Sequence, residues 1–255
     1  MALLQNKVCI ITGGCGSVGL ASARLFLAEG AKVMLVDLDA DRLASAKRDI
    51  ESDRVETCRA DVSDSASVQA YVAATAAKWG AIDVLFSNAG NHGHIGPLES
   101  YDEEAFDRTY RIHVKGAFLA CKHGAARMRD GGSIIVTSSL AGLLGGAGAE
   151  LNIAYTTVKH AQTGVVRAAA RALAPRGIRV NSLNPGPIEN AFQADIEQRL
   201  GKLNGTNLTA AIDQAIPLKR HATPDEVADT ALYLASPLSR FVTGHVHVVD
   251  GGLGS

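Results

Sequence analysis

Tyr155 and Lys159 stand four positions apart, a spacing that sets both side chains on one face of a helix. A free phenol loses its proton near pH 10, too high for a base at neutral pH. A neighbouring ammonium stabilises the phenolate and lowers that value. Such a pair can take the proton of an alcohol or return it to a carbonyl oxygen. The spacing is common in helices, so its meaning depends on the residues around it.

A second group concerns phosphate. The run Thr12-Gly13-Gly14-Cys15-Gly16-Ser17-Val18-Gly19 follows a short apolar segment and precedes a helical one. Glycines let backbone approach a ligand, and the helix start offers free amides and a positive dipole end to a pyrophosphate. Gly13, Gly16, Ser17, Val18 and Gly19 are the expected phosphate-side contacts. Asp37 lies 18 positions beyond Gly19, at the end of the next apolar run. A carboxylate there accepts from both ribose hydroxyls of NAD and repels the 2′-phosphate of NADP. No basic residue sits in the glycine turn or directly after Asp37 to offset it. Asp61 and Val62 are read as an adenine contact, with a helix cap as the other reading of Asp61.

The elements that must position these groups alternate. Continuous apolar runs at 7–12, 32–37, 55–59, 82–87, 133–138, 179–184 and 245–249 read as strands. Between them, helices are expected at 18–29, 40–50, 65–79, 103–128 and 152–173, with another beginning at 224. Uninterrupted apolar strands belong to parallel sheets covered on both faces. The expected fold is therefore α/β: a doubly wound, Rossmann-type parallel sheet in a single domain over 1–255. The segment 187–217 mixes Pro, Gly, Asn and charged residues and reads as a substrate flap.

Bulk properties remove other classes. The 255 residues carry 25 basic and 26 acidic side chains, net charge -1, so no polyanion-binding surface is expected. No apolar stretch reaches the roughly 20 residues of a membrane span. The N-terminus lacks the apolar core of a secretory signal. Cys9, Cys15, Cys58 and Cys121 are too scattered for a metal knuckle or a dithiol site. A cytoplasmic setting with four free thiols follows as the expectation.

In chain order, Thr12–Gly19, Asn88-Ala89-Gly90, Ser138-Ser139, Tyr155-Thr156-Thr157-Val158-Lys159, Asn181-Ser182-Leu183-Asn184-Pro185-Gly186 and Val249-Asp250-Gly251-Gly252 resemble the short-chain dehydrogenase/reductase family in its compact branch. The resemblance covers essentially the whole chain. It implies Tyr155 as acid/base, Lys159 as the cation that tunes it and holds the nicotinamide ribose, and Ser139 as the hydroxyl on the reacting oxygen. Ser138 is the alternative to Ser139. Asn88, Ala89 and Gly90 would line the cofactor cleft. Pro185, Gly186 and Ile188 would flank the nicotinamide, and a homotetramer would bury two long helices and the last strand.

The chain departs from the family pattern in four places. Ser17 stands where the compact branch has glycine. His113 stands where an asparagine anchors a relay water, so either a modified relay or a structural His113 is expected. The Ser139–Tyr155 gap is long, which implies an insertion within 145–152, with Glu150 read as solvated. Asn190 replaces a threonine, which puts its contact with the cofactor in doubt.

The expected activity is NAD-dependent, reversible oxidation of a secondary alcohol to a ketone, faster as pH rises toward the Tyr155 pKa. The alternatives are an NADPH-dependent 3-oxoacyl thioester reductase and a catalytically silent NAD-binding sensor or scaffold. The few charges in the loops around the pocket suggest a neutral or polar small molecule. His92 and His94 read as loop or substrate contacts, not a metal pair; His245 and His247 read as an interface; the cysteines read as core fillers.

Overall fold

The computed structural model describes residues 2–145, 148–205 and 207–255. Seven parallel strands form one sheet: β1 (Val8–Thr12), β2 (Lys32–Asp37), β3 (Val55–Arg59), β4 (Ile82–Ser87), β5 (Met128–Thr137), β6 (Arg179–Pro185) and β7 (Val246–Val249), in the order β3-β2-β1-β4-β5-β6-β7. The doubly wound architecture read from the apolar runs is thus the one observed.

Alternation along each strand sends side chains to two cores. Cys9, Ile11, Val33, Leu35, Phe86 and Ile135 pack with Phe26 of α1 (Ser17–Ala28) and with Val227 and Leu234 of the last helix. Leu43 and Ala46 of α2 (Ala40–Ile50) close that side. Val8, Ile10, Met34, Leu85 and Ile134 pack on the other face with Val68, Tyr71 and Val72 of α3 (Ser65–Trp79) and with Val166.

Helix starts follow local chemistry. The side chains of Asp39, Asp64 and Asp102 accept backbone N–H bonds ahead of α2, α3 and α4 (Glu103–Tyr110). Asp64 is the cap of α3; Asp61 instead accepts the Ser63 N–H at 2.8 Å, one turn earlier. The expected helix 103–128 is shorter and irregular. After α4 come a π-helical turn (Arg111–Lys115), α5 (Gly116–Leu119) and a second π-helical turn (Ala120–Gly124). The strand β5 already begins at Met128, paired with Ile82. Periodicity alone could not reveal turns with i→i+5 bonding.

The helix α6 (Ile153–Leu173) carries Tyr155 and Lys159. The segment 187–217, read as irregular, holds two helices, α7 (Ala191–Asn204) and α8 (Leu208–Ala215). Phe192, Ile196 and Leu200 form an i, i+4, i+8 stripe that signals α7 in retrospect. The last helix, α9 (Pro224–Ala235), starts with Thr223 and Glu226 in a reciprocal capping box and packs on α1.

Candidate active site

The strand order reverses between β1 and β4, and the carboxyl ends of strands at such a point are where open α/β sheets receive ligands. A cleft of about 970 Å³ opens there. It is lined by Gly13, Gly16, Ser17, Val18, Asp37, Asp61, Val62, Asn88, Ala89, Gly90, His113, Ser139, Tyr155, Lys159, Pro185, Gly186 and Ile188. All the expected site residues except Gly19 thus face one space.

Gly19 acts from behind. A Cβ on it would lie 2.3 Å from the Gly13 carbonyl oxygen, so the turn closes only with glycine there. Gly13 has φ +63°, and a Cβ would meet the Ala89 backbone at 2.8 Å. Thr12 ties the turn to β4: its hydroxyl oxygen accepts from the amides of Asn88 (3.0 Å) and Ala89 (3.2 Å). Gly16 caps α1 without a side chain, so the helix start presents open backbone. Asp37 accepts from the Cys15 N–H at 3.0 Å, which orients one carboxylate oxygen toward the turn.

Arg42 also lines this end, its guanidinium donating to the Cys15 carbonyl oxygen. No local pattern marks it in the sequence, because it lies five positions beyond Asp37 and reaches the turn only through the fold. Position 42 lies in the first turn of α2, which the Asp39 cap folds back over the glycine turn.

At the other end, Lys159 is buried, and its Nζ donates to the Thr137 carbonyl at 2.8 Å. That Nζ lies 5.3 Å from the centre of the Tyr155 ring. Ser139 lines the same wall as Tyr155, and its hydroxyl favours the ionised phenol. Asn184 holds the Ser139 backbone by donating to its carbonyl at 2.9 Å. Ser138 is turned away, its hydroxyl donating to the Lys159 carbonyl at 2.8 Å from a buried position.

The ammonium effect expected from spacing is not the dominant one in the unliganded protein. Burial pushes the Tyr155 phenol up to about 12, against the opposing Ser139 hydroxyl, and pushes Lys159 down to about 7. Desolvation outweighs mutual stabilisation because both groups sit in a poorly hydrated wall.

His113 lies in the first π turn, buried, its ring edge-on to Tyr155 at 5.9 Å. Nε2 sits 2.8 Å from the Asn91 carbonyl oxygen and 3.1 Å from the Asn91 N–H. Nδ1 is buried without a protein partner. Burial, with the Lys159 charge adding to it, holds the ring well below the ordinary histidine range, so it is neutral. Gly90 makes room: a Cβ there would lie 2.5 Å from His113 Cε1.

Asn190 bridges the cleft. Its Nδ2 donates to Ser17 Oγ at 3.1 Å while its Oδ1 accepts from Gln193 N–H at 2.8 Å as the cap of α7. Behind α7, Glu197 accepts from Gln193 and Thr209 and pairs with His221 at 2.7 Å; His221 pairs with Asp213 at 2.7 Å. Asp250 holds the floor by accepting from Gly252 and Gly254 amides, and Gly186 packs on it with 2.8 Å left for a Cβ.

The other expectations sort simply. His92 pairs with Asp195 at 2.8 Å, and the His94 carbonyl accepts from Tyr101 at 2.6 Å. Among the described residues no cluster of His, Cys, Asp and Glu could hold a metal. Glu150 is exposed, and the residues of the inferred insertion at 146 and 147 lie outside the described residues. His245 and His247 stack edge-on at 5.7 Å beside β7, the sheet edge. Cys9, Cys15 and Cys121 are buried and free, and burial raises their thiols, Cys15 to about 11 and Cys121 to about 12.

A family model described as enoyl-(acyl carrier protein) reductase matches residues 14–254. Short-chain dehydrogenase reductase 5 of Arabidopsis thaliana is 38% identical over 253 residues, 98% of this chain and 95% of that one. Galactitol 2-dehydrogenase of Agrobacterium fabrum is 34% identical, with 98% of each chain covered. The crystal structure of a levodione reductase superposes with a TM-score of 0.92 at 33% identity, covering 98% of both chains.

Proposed function

Since this chain belongs to the short-chain dehydrogenase/reductase family, we propose that it interconverts a secondary alcohol and a ketone with NAD, using Tyr155 as acid/base. The observation that carries this reading is the convergence of Tyr155, Ser139 and Lys159 on one cleft wall. A glycine cradle that a Cβ would fill and the open start of α1 fit a dinucleotide pyrophosphate. Asp37 fits the ribose hydroxyls and favours NAD over NADP.

When bound, the dinucleotide supplies the hydride acceptor or donor and, oxidised, one positive charge. Oxidation of the alcohol releases one hydride and one proton. Phenolate Tyr155 takes the hydroxyl proton, and Ser139 donates to the same oxygen as the carbonyl forms. Lys159, fixed by the Thr137 carbonyl, steadies the phenolate from beneath the ring. In the reverse direction, Tyr155 returns the proton to the carbonyl oxygen. His113 is neutral and its Nδ1 has no protein partner, which suits it to hold a relay water, as donor or acceptor according to its tautomer, in place of the family's asparagine.

A homotetramer in the cytoplasm remains part of this reading. Phe241 is fully exposed, Phe118 is half-exposed, and β7 leaves one sheet edge unpaired within the chain. No helix among the described residues is long and apolar enough to cross a membrane.

The test is Tyr155→Phe with NADH binding measured beside turnover. Turnover should vanish while NADH binding stays near wild type. Retained alcohol oxidation by the variant would overturn the assignment, and tight NADH binding without turnover by the wild type would favour a sensor.

A further inference from the structure

The half of the cleft beyond Tyr155 is walled by Leu144, Ala149, Phe192, Ile196, Leu200 and Ile212. Leu144 and Phe192 stay 44% and 38% exposed, a large apolar area left uncovered on the inside of a pocket. Phe192 leans toward Tyr155, ring centres 6.3 Å apart, so the apolar wall reaches the reacting centre.

The charges near this wall are already spent. Glu197 lines the pocket, yet its oxygens are held by Gln193, Thr209 and His221. Asp195 is taken by His92 and Arg199. Three unpartnered polar atoms remain among the described lining residues, Asn91 Oδ1, His113 Nδ1 and Asn152 Oδ1, and of the three only Asn152 stands on the helix that carries Tyr155. Asn152 lines the pocket, is 93% buried by its 7% exposure, and its Oδ1 has no partner. It occupies the cap position of α6, where an asparagine side chain ordinarily accepts from the helix amides, but here it caps nothing. It precedes Tyr155 by three positions, on the same end of the same helix.

Resting on the dehydrogenase reading above, we propose that the substrate is a compact, largely apolar secondary alcohol or ketone, cyclic or branched, bearing one further hydroxyl that pairs with Asn152. A polyol would bury several hydroxyls against a mostly apolar wall with few open partners, and each unmatched hydroxyl costs free energy. Among the described residues, a charged acid would find no free counter-charge on this wall.

The test compares cyclohexanol, cyclohexane-1,2-diol and a linear hexitol with NAD, and measures their binding to the NADH complex by thermal shift. The diol should exceed cyclohexanol about tenfold in kcat/KM, the worth of one added hydrogen bond, and both should exceed the hexitol. In Asn152→Leu the diol's advantage over cyclohexanol should disappear. A hexitol that matches or beats the cyclic alcohols, or a diol advantage that survives Asn152→Leu, overturns the proposal. If no alcohol is oxidised, the dehydrogenase reading fails by itself. The thermal-shift order then decides the pocket chemistry, which stands if the diol leads and falls if the hexitol does.

Discussion

Ser17 and Asn190 lie 173 positions apart and meet at 3.1 Å, the hydroxyl at the first turn of α1 accepting from the amide that caps α7. Both are departures from the family pattern, and they touch each other. The glycine expected at 17 would offer no acceptor to the residue at 190. The start of α7 is thereby tied to the start of α1, beside the glycine turn proposed to hold the dinucleotide's phosphates.

This clasp predicts faster release of NADH from Asn190→Ala. One lost neutral hydrogen bond of about 1 kcal/mol corresponds to roughly fivefold in the dissociation rate, measured by stopped-flow fluorescence. Ser17→Ala should give a similar change. The double variant should add little, because both substitutions break the same bond.

Arg42 gives a sharper prediction for cofactor choice. Asp37→Ser removes the carboxylate that opposes a 2′-phosphate while leaving the guanidinium of Arg42 at the same end of the cleft. The kcat/KM ratio for NADP over NAD should rise by at least about tenfold. Wild-type preference for NADPH would sink this reading of Asp37 and reopen thioester reduction.

Tyr155 sets the pH dependence. Its pKa is raised to about 12 in the unliganded protein, so the phenolate is scarce at neutral pH. Alcohol oxidation should climb as pH rises from 7 to 10, and ketone reduction, which needs the protonated phenol, should not. A flat oxidation profile over that range would count against Tyr155 as the base.

Lys159 trades stability for chemistry. Its pKa falls from 10.5 to about 7, so between those values the unfolded chain holds a proton the native state lacks. Stability therefore rises with pH across that window, and the burial cost is fully present below it. Lys159→Met should abolish turnover yet raise stability by on the order of 1–2 kcal/mol near neutral pH, net of the bond lost to Thr137. Calorimetry would read this as a Tm increase of a few degrees.

Gly90→Ala probes His113 without touching it. The added methyl would collide with Cε1 and displace the ring from Asn91. We expect kcat to fall at least about tenfold with a smaller change in NADH affinity. An unchanged kcat would make His113 a packing residue only.

The nucleotide half of the site was legible in sequence because each of its parts is a local device. Glycine at 13 and 19 and the carboxylate at 37 announce themselves by type and spacing. The choice between Ser138 and Ser139 was not legible, since both line the cleft and only the fold spends the Ser138 hydroxyl on the Lys159 carbonyl. Arg42 and Asn190 act across gaps that no local pattern encodes. The helices α7 and α8 were hidden because their apolar stripe faces a cavity and polar residues surround it. The Tyr155 pKa moves opposite to the direction its spacing to Lys159 suggests, because spacing reports a neighbour's charge and says nothing of hydration.

The two π-helical turns between α4 and β5 bear on how this chain tolerates deletion. Each such turn accommodates a surplus residue, and one residue corresponds to about 100° of helical rotation. A single-residue loss within Arg111–Lys115 would let the backbone relax to a regular helix with the flanking turns in register, but it would remove the widened turn that carries His113. His113 and the Gly90 notch would no longer oppose each other. Length is therefore constrained in this helix as tightly as side-chain identity, though no single position would reveal it.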